Sequence, residues 1–168
     1  MLLDAPGLES YAPSVNLDVA QGARELARHL AASGHIRAAY VDGVTGTTTF
    51  QLRREASWQR LPPVDFPWLT GTSSAPRSTS VLPPLRSPLP GRSGNARGVT
   101  AVVCGTDTHA YGVLQEARVE GVHIPEELAV AGFDDLPYSA TSNPPSLTSV
   151  HLPATPLGRK AGGAAAGG

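Results

Sequence analysis

Apolar residues recur at helical spacing in the first patterned stretch of the chain. One face carries Val19, Ala23, Leu26, Ala27 and Leu30. Positions i, i+4, i+7, i+8 and i+11 lie on one side of a helix, so this spacing predicts an amphipathic helix. Asp18 precedes it as a capping residue with Gln21 three positions later, which is the order of a capping box. Gly34 stands where such a helix ends.

A second helical pattern lies further along the chain. Its apolar face carries Ala110, Val113, Leu114 and Ala117. Thr106 or Asp107 is placed to cap its first turn, and Gly121 to end it. A third helix is predicted to begin at Thr48 and continue to Trp58.

Short apolar runs separate these helices. Residues 36–41, 99–104 and 128–133 are mostly apolar, and 146–152 is a further short run of strand-forming residues. Continuous apolar runs of this length are typical of parallel strands that are buried on both faces. Their alternation with helices predicts an α/β fold with a mainly parallel sheet flanked by helices.

Residues 59–98 break both patterns. This segment contains eight of the sixteen prolines and is rich in Ser and Arg. Helices and central strands do not tolerate prolines at this density. The segment is therefore predicted to be a disordered Pro/Ser-rich region that interrupts the fold.

Composition narrows the function classes. The 168 residues carry 13 basic and 14 acidic side chains, and this lack of a basic excess disfavours a stand-alone nucleic-acid binder. A single cysteine, Cys104, excludes an internal disulfide, and the five histidines lack metal-binding spacing, so no metal or other cofactor is expected. With no apolar run of membrane-spanning length and no leader pattern, we expect a cytoplasmic protein without a membrane partner.

Polar side chains follow the predicted strands at residues 105–108 and 134–137. Ligands of parallel α/β sheets bind beside the carboxyl ends of the strands. Asp134 and Asp135 could form a catalytic pair, but neighbouring strand residues point to different sides, which favours ligand binding by Asp134. Asp107 is better explained as a helix cap. The sequence thus predicts a site for a polyhydroxylated small molecule, and without a nucleophile elbow or phosphate loop it does not predict an enzyme.

Several motifs occur in the order typical of one family. GTD (105–107), IPEELAVAGFDD (124–135) and PPSLTSV (144–150) follow an upstream stretch, residues 14–58, that ends in RREASW. This series resembles the effector-binding domain of LacI/GalR-type transcription regulators. The resemblance implies the periplasmic-binding-protein type I fold, in which two α/β subdomains hold a sugar-like effector in their cleft.

The resemblance also implies ligand-binding residues. Arg54 matches the effector-binding arginine of the family, and Asp134 matches the first Asp of GFDD. Thr106 stands where the family usually has Asn, whose paired donor and acceptor Thr lacks. Asp18 matches a polar position of the cleft. These four residues form the predicted ligand site.

Domain boundaries follow from the same resemblance. Residues 1–35 are expected to be a remnant of the N-terminal effector subdomain, and 36–148 the C-terminal subdomain, interrupted by 59–98. Residues 149–168 are expected to form the crossover and tail. Because residues 59–98 keep the family's length without its pattern, we also considered a reading-frame slip across them.

The implied function is effector sensing in a LacI-type DNA-binding regulator. The sequence contains no helix-turn-helix, so DNA contact is expected only through a headpiece outside it, and a homodimer is the other expected partner. Two alternatives stay open: an extracytoplasmic sugar-binding protein of the same fold, and a non-functional gene fragment. A hydrolase or transferase is a third alternative, which lacks its motifs here.

Overall fold

A computed structural model describes residues 2–36, 38–41, 47–58, 99–137 and 146–166. The elements along the chain are β1 (Leu2–Leu3), β2 (Ser14–Val15), α1 (Val19–Ala32), β3 (Ala38–Val41), α2 (Thr48–Trp58), β4 (Ala101–Cys104), α3 (Asp107–Glu120), β5 (Ala129–Asp134), β6 (Thr148–His151) and α4 (Ala154–Ala166). The segment 59–98 and the frame-slip hypothesis lie outside the described residues.

Strands β3 to β6 form one parallel sheet in the order β3-β4-β5-β6. Strands β3, β4 and β6 lie within predicted runs, and β5 extends one residue beyond its run, to Asp134. Strands β3 and β4 are buried along their whole length. The predicted α/β class with a mainly parallel sheet is confirmed. Strands β1 and β2 pair in a separate small sheet, which the pattern did not predict.

Helices cover both faces of this sheet. Because successive strand residues point to opposite faces, Tyr40, Val103 and Phe133 pack beneath α1 and α2, whereas Val41 and Val102 face α3. The predicted apolar faces of α1 and α3 are the buried ones, except that Leu114 is only partly buried. The core therefore consists of two small layers on either side of the sheet.

The helix ends match the predicted capping residues. Asp18 is the N-cap of α1, and its carboxylate accepts a hydrogen bond from the Gln21 backbone N–H at 2.9 Å. Thr106, rather than Asp107, is the N-cap of α3. Gly121 ends α3 in the left-handed conformation, with φ of 70°.

The expected boundary at residue 35 does not separate two packed units. Helix α1 shares its core with β3, β4 and β5, because Leu26 and Leu30 belong to the same buried cluster as Tyr40 and Phe133. The expected crossover segment from residue 149 onward begins inside β6, which pairs with β5. Helix α1 and strand β6 therefore pack with the same sheet, and the expected domain boundaries stay predictions.

Two helical glycines provide a matched test of this packing. A Cβ on Gly22 of α1 would lie 2.7 Å from Cγ1 of Val150 in β6, whereas a Cβ on Gly112 of α3 meets nothing within 4 Å. Gly112→Ala should stabilise the protein by up to about 1 kcal/mol, since alanine favours helix. In Gly22→Ala the overlap of the new methyl group with Val150 should outweigh the gain in helix propensity. This variant should therefore destabilise the protein by roughly 1 kcal/mol. Urea denaturation of both variants measures the difference, and equal effects would contradict the α1–β6 contact.

Candidate functional site

The carboxyl end of the sheet brings α2 against the ends of β4 and β5. Strand β4 continues into Gly105 and Thr106, and β5 ends at Asp134. Arg53, on the inner face of α2, reaches both strand ends, because it contacts Gly105 and Asp134. Ligands of parallel sheets bind at this position, next to the carboxyl ends of the strands.

Arg53 is a buried cation with incomplete pairing. Its side chain is about 6% exposed, and its Nη1 donates to the Gly105 carbonyl oxygen and to Asp134 Oδ1, the latter at 3.4 Å. The guanidinium carbon lies 4.9 Å from the Phe133 ring centroid and 5.6 Å from that of Phe50. Arg53 Nε finds no acceptor among the described residues. The arginine is therefore fixed by aromatic rings and one carbonyl, with one buried donor still to be satisfied.

Asp134 presents its carboxylate at the mouth of this site. Its backbone has φ of 104°, and its side chain is 27% exposed. Burial raises the pKa of Asp134 above that of an ordinary carboxyl, and the Arg53 guanidinium only partly opposes this effect. Its carboxylate oxygens face the mouth of the site, where they can accept hydrogen bonds from a ligand.

Thr106, His109 and Phe50 complete the rim. Thr106 Oγ1 accepts from the His109 backbone N–H at 3.2 Å and lies 3.1 Å from Nδ1 of the same histidine. The rings of Phe50 and His109 are 6.1 Å apart. The Thr106 hydroxyl is already engaged in capping α3, which leaves it less hydrogen-bonding capacity to offer a ligand.

Asp107 lies behind the rim and is fully buried. Its Oδ2 accepts from the Leu136 backbone N–H at 2.9 Å, and its Oδ1 accepts from Ser149 Oγ at 2.6 Å. The prediction that Asp107 is a cap rather than a ligand group was wrong in its first half, because Thr106 caps the helix. The Asp107 carboxylate instead connects the turn after β5 to β6.

Asp18 lies in a different place from the other predicted residues. It lines a cleft of about 570 Å³ between α1 and the β6 region, together with Gln21, Glu25 and His151. Arg53, Thr106 and Asp134 do not line this cleft. Asp18 is 72% exposed and lies 4.0 Å from Arg24. The structure therefore does not bring Asp18 into the site at the strand ends.

Among the residues that the structure describes, no three His, Cys, Asp or Glu side chains are grouped so that they could hold a metal ion. No helix within those described ranges is long and apolar enough to span a membrane.

The sequence of the chain matches the model of a known protein family. The family model described as a periplasmic binding protein-like domain matches residues 27–166, which is most of the chain. The chain belongs to the periplasmic binding protein-like domain family. The fold class predicted from the sequence is therefore confirmed by the family match as well as by the parallel sheet of the structure.

Relatives of this periplasmic binding protein-like domain include transcription regulators. The chain is 29% identical over 164 residues to an arabinose metabolism transcriptional repressor of Geobacillus stearothermophilus, covering 96% of this chain and 44% of the repressor. The resemblance to LacI/GalR-type regulators is confirmed.

Two solved structures share the fold. A LacI family regulator from Enterococcus faecalis V583 with bound ribose has a TM-score of 0.69 at 19% identity, over 94% of this chain and 55% of that one. A LacI family regulator from Lactobacillus casei with bound glucose has a TM-score of 0.67 at 24% identity, over 95% and 59%. The chain thus spans about half the length of these relatives.

In this periplasmic binding protein-like domain, Arg53 of α2, the neighbour of the predicted ligand residue Arg54, contacts Asp134. Consecutive helix residues differ in direction by about 100°, and it is Arg53 that points to the strand ends, whereas Arg54 is half-buried on the adjoining face. Whether Arg54 contacts a ligand stays a prediction. Thr106 and Asp134 are both at the predicted edge of the sheet.

A helical pattern within α2 could have identified Arg53. Arg53, Ala56 and Ser57 are all buried, and their spacing at i, i+3 and i+4 defines one face of the helix. Small residues one turn after an arginine allow a helix to pack closely with that arginine turned inward. The resemblance instead assigns the effector-binding arginine to Arg54, and that assignment stays a prediction.

Proposed function

We propose that this chain is the effector-sensing part of a LacI-type transcriptional regulator, and that it binds a neutral, sugar-like polyol without chemical conversion. The observation that carries the proposal is Arg53, a buried guanidinium at the strand ends whose Nε has no acceptor within the described part of the chain and whose contact with Asp134 is long, at 3.4 Å. A ligand with adjacent hydroxyl groups offers an acceptor to the arginine and a donor to the carboxylate.

The charge and shape of the site favour a neutral ligand. Arg53 and Asp134 bring one positive and one negative group, so an uncharged polyol leaves the local charge balanced. Phe50 lies beside the guanidinium and can pack against the apolar face of a sugar ring. Ribose and glucose, the ligands of two structural relatives, are both of this class.

Further parts of the proposal rest on the similarity of the chain to LacI-type regulators. We propose that DNA contact is made only through a headpiece outside residues 1–168, that the chain acts in the cytoplasm, and that a homodimer is its assembly. Ligand binding to such a module shifts a two-state equilibrium that the headpiece transmits. The absence of enzymatic activity is part of the same proposal.

Isothermal titration of the purified chain with ribose, glucose and a sugar alcohol tests the proposal. We expect saturable binding of at least one neutral polyol, and weaker binding of the deoxy analogue that lacks one of the adjacent hydroxyls. Loss of one such hydroxyl should lower affinity by about tenfold or more, because it leaves a charged partner unpaired. A folded chain that binds none of these compounds would support the non-functional-fragment alternative instead.

A further inference from the structure

A buried carboxylate behind the ligand site joins three elements. Asp107, the first residue of α3, has no exposed surface, and it accepts hydrogen bonds from β6, through Ser149, and from the turn that follows β5, through Leu136. Burial of a carboxylate is costly unless its oxygens are bonded, and here each oxygen has a donor. The Asp107 carboxylate and its two hydrogen bonds therefore form a buried connection between these elements, which we call the anchor.

Ser149 extends this anchor to the turn that carries Asp134. Its hydroxyl donates to Asp107 and accepts from the Asp135 backbone N–H at 3.0 Å. A hydroxyl can do both at once. The Asp107 carboxylate thus holds two consecutive backbone N–H groups of the turn, that of Leu136 directly and that of Asp135 through Ser149.

The turn needs such support because its backbone is unfavourable. Asp134 and Asp135 both have positive φ, at 104° and 49°, a region that residues other than glycine rarely adopt. Unusual conformations of this kind persist when the surrounding structure determines them. Gly132 leaves room for the anchor, because a Cβ at that position would overlap Oδ1 of Asp107.

We propose that Asp107 is a positioning residue of the ligand site: through Leu136 and Ser149 it holds the Asp134–Asp135 turn in the conformation that presents the Asp134 carboxylate beside Arg53. Asp107 itself does not touch the ligand. The part of this inference that concerns ligand affinity rests on the proposed function, whereas the part that concerns the turn does not.

Two nearly isosteric variants of Ser149 test the role of its hydroxyl, which connects Asp107 to the Asp135 backbone N–H. Ser149→Thr keeps the hydroxyl, and Ser149→Val replaces it by a methyl group of almost the same size, so the two variants share any steric cost. Amide hydrogen exchange, followed residue by residue by NMR, should be about tenfold or more faster at Asp135 in the valine variant than in the threonine variant. Ribose affinity should fall by a similar factor between the two.

Asp107→Asn gives the second measurement. The amide nitrogen cannot accept a hydrogen bond, so exchange at Leu136 or Asp135 should accelerate while exchange in the centre of β4 stays as in the parent. If the threonine and valine variants exchange equally at Asp135, the positioning role is wrong, even if Asp107→Asn fails to fold. If the turn responds as expected but no neutral polyol binds the parent chain, the positioning role stands and the proposed function fails.

Discussion

Arg53→Met should abolish most ligand affinity. The variant removes the positive charge of Arg53 from the strand ends. The Gly105 carbonyl and the Asp134 carboxylate then lose the hydrogen bonds that Arg53 donates to them. Loss of a charged hydrogen-bonding partner at a binding site costs several kcal/mol, so we expect affinity for a neutral polyol to fall by about 100-fold or more. The free energy of unfolding should fall by roughly 1–2 kcal/mol. This loss is smaller than that expected for a fully buried ion pair, because solvent screens the partly exposed Asp134.

Arg54→Met is the matched control, since it removes the same charge one position along the same helix. We expect it to lower both affinity and stability less than Arg53→Met does. Titration calorimetry and urea denaturation of the two variants provide both quantities. If Arg54→Met loses the affinity and Arg53→Met retains it, the arginine predicted from the family resemblance is correct and the site described here is wrong.

Asp134→Asn should remove ligand binding and change how stability depends on pH. Burial disfavours the Asp134 carboxylate more than Arg53 stabilises it, so folding raises the pKa of this group. The folded protein then binds the proton more tightly than the unfolded chain, whose carboxyl pKa is about 3.9. The contribution of Asp134 to stability is therefore present at low pH and decreases as pH rises from that value through the raised one.

The asparagine variant lacks this titration. The free energy of unfolding of the parent, measured relative to Asp134→Asn, should accordingly be most favourable below the unfolded carboxyl pKa of about 3.9, and should decline as pH rises through the raised pKa of the folded state. Urea denaturation at a series of pH values measures it, with Glu126→Gln as a control for loss of an exposed carboxylate. A difference that grows with pH would mean that the attraction of Arg53 outweighs burial, and would contradict the electrostatic account of the site.

The sequence predicted the buried elements of the fold better than the exposed ones. The strands beginning at Ala38, Ala101 and Ala129 are surrounded by core on both faces, so their apolar runs are unambiguous. Helix α4 was not predicted, because its Gly- and Ala-rich sequence has no apolar stripe. Strands β1 and β2 are two residues long, which is too short for a period-two pattern to be visible.

The chemistry of the site was predicted less completely, for physical reasons. The family resemblance assigns the ligand role to Arg54, and only the packing of α2 shows that its neighbour Arg53 faces the sheet. A carboxylate at the start of a helix is consistent with a cap, and only burial shows that Asp107 serves the turn after β5 instead. Asp134 was identified because its position depends on the strand end alone.

A crystal structure of the chain grown with saturating ribose, or with whichever neutral polyol binds most tightly in the titration, tests the location of the site directly. The account predicts the sugar at the carboxyl ends of β4 and β5, with hydroxyl groups within hydrogen-bond distance of the Arg53 guanidinium and the Asp134 carboxylate. A sugar bound in the α1–β6 cleft beside Asp18, with neither of those two groups in contact with it, would contradict the account.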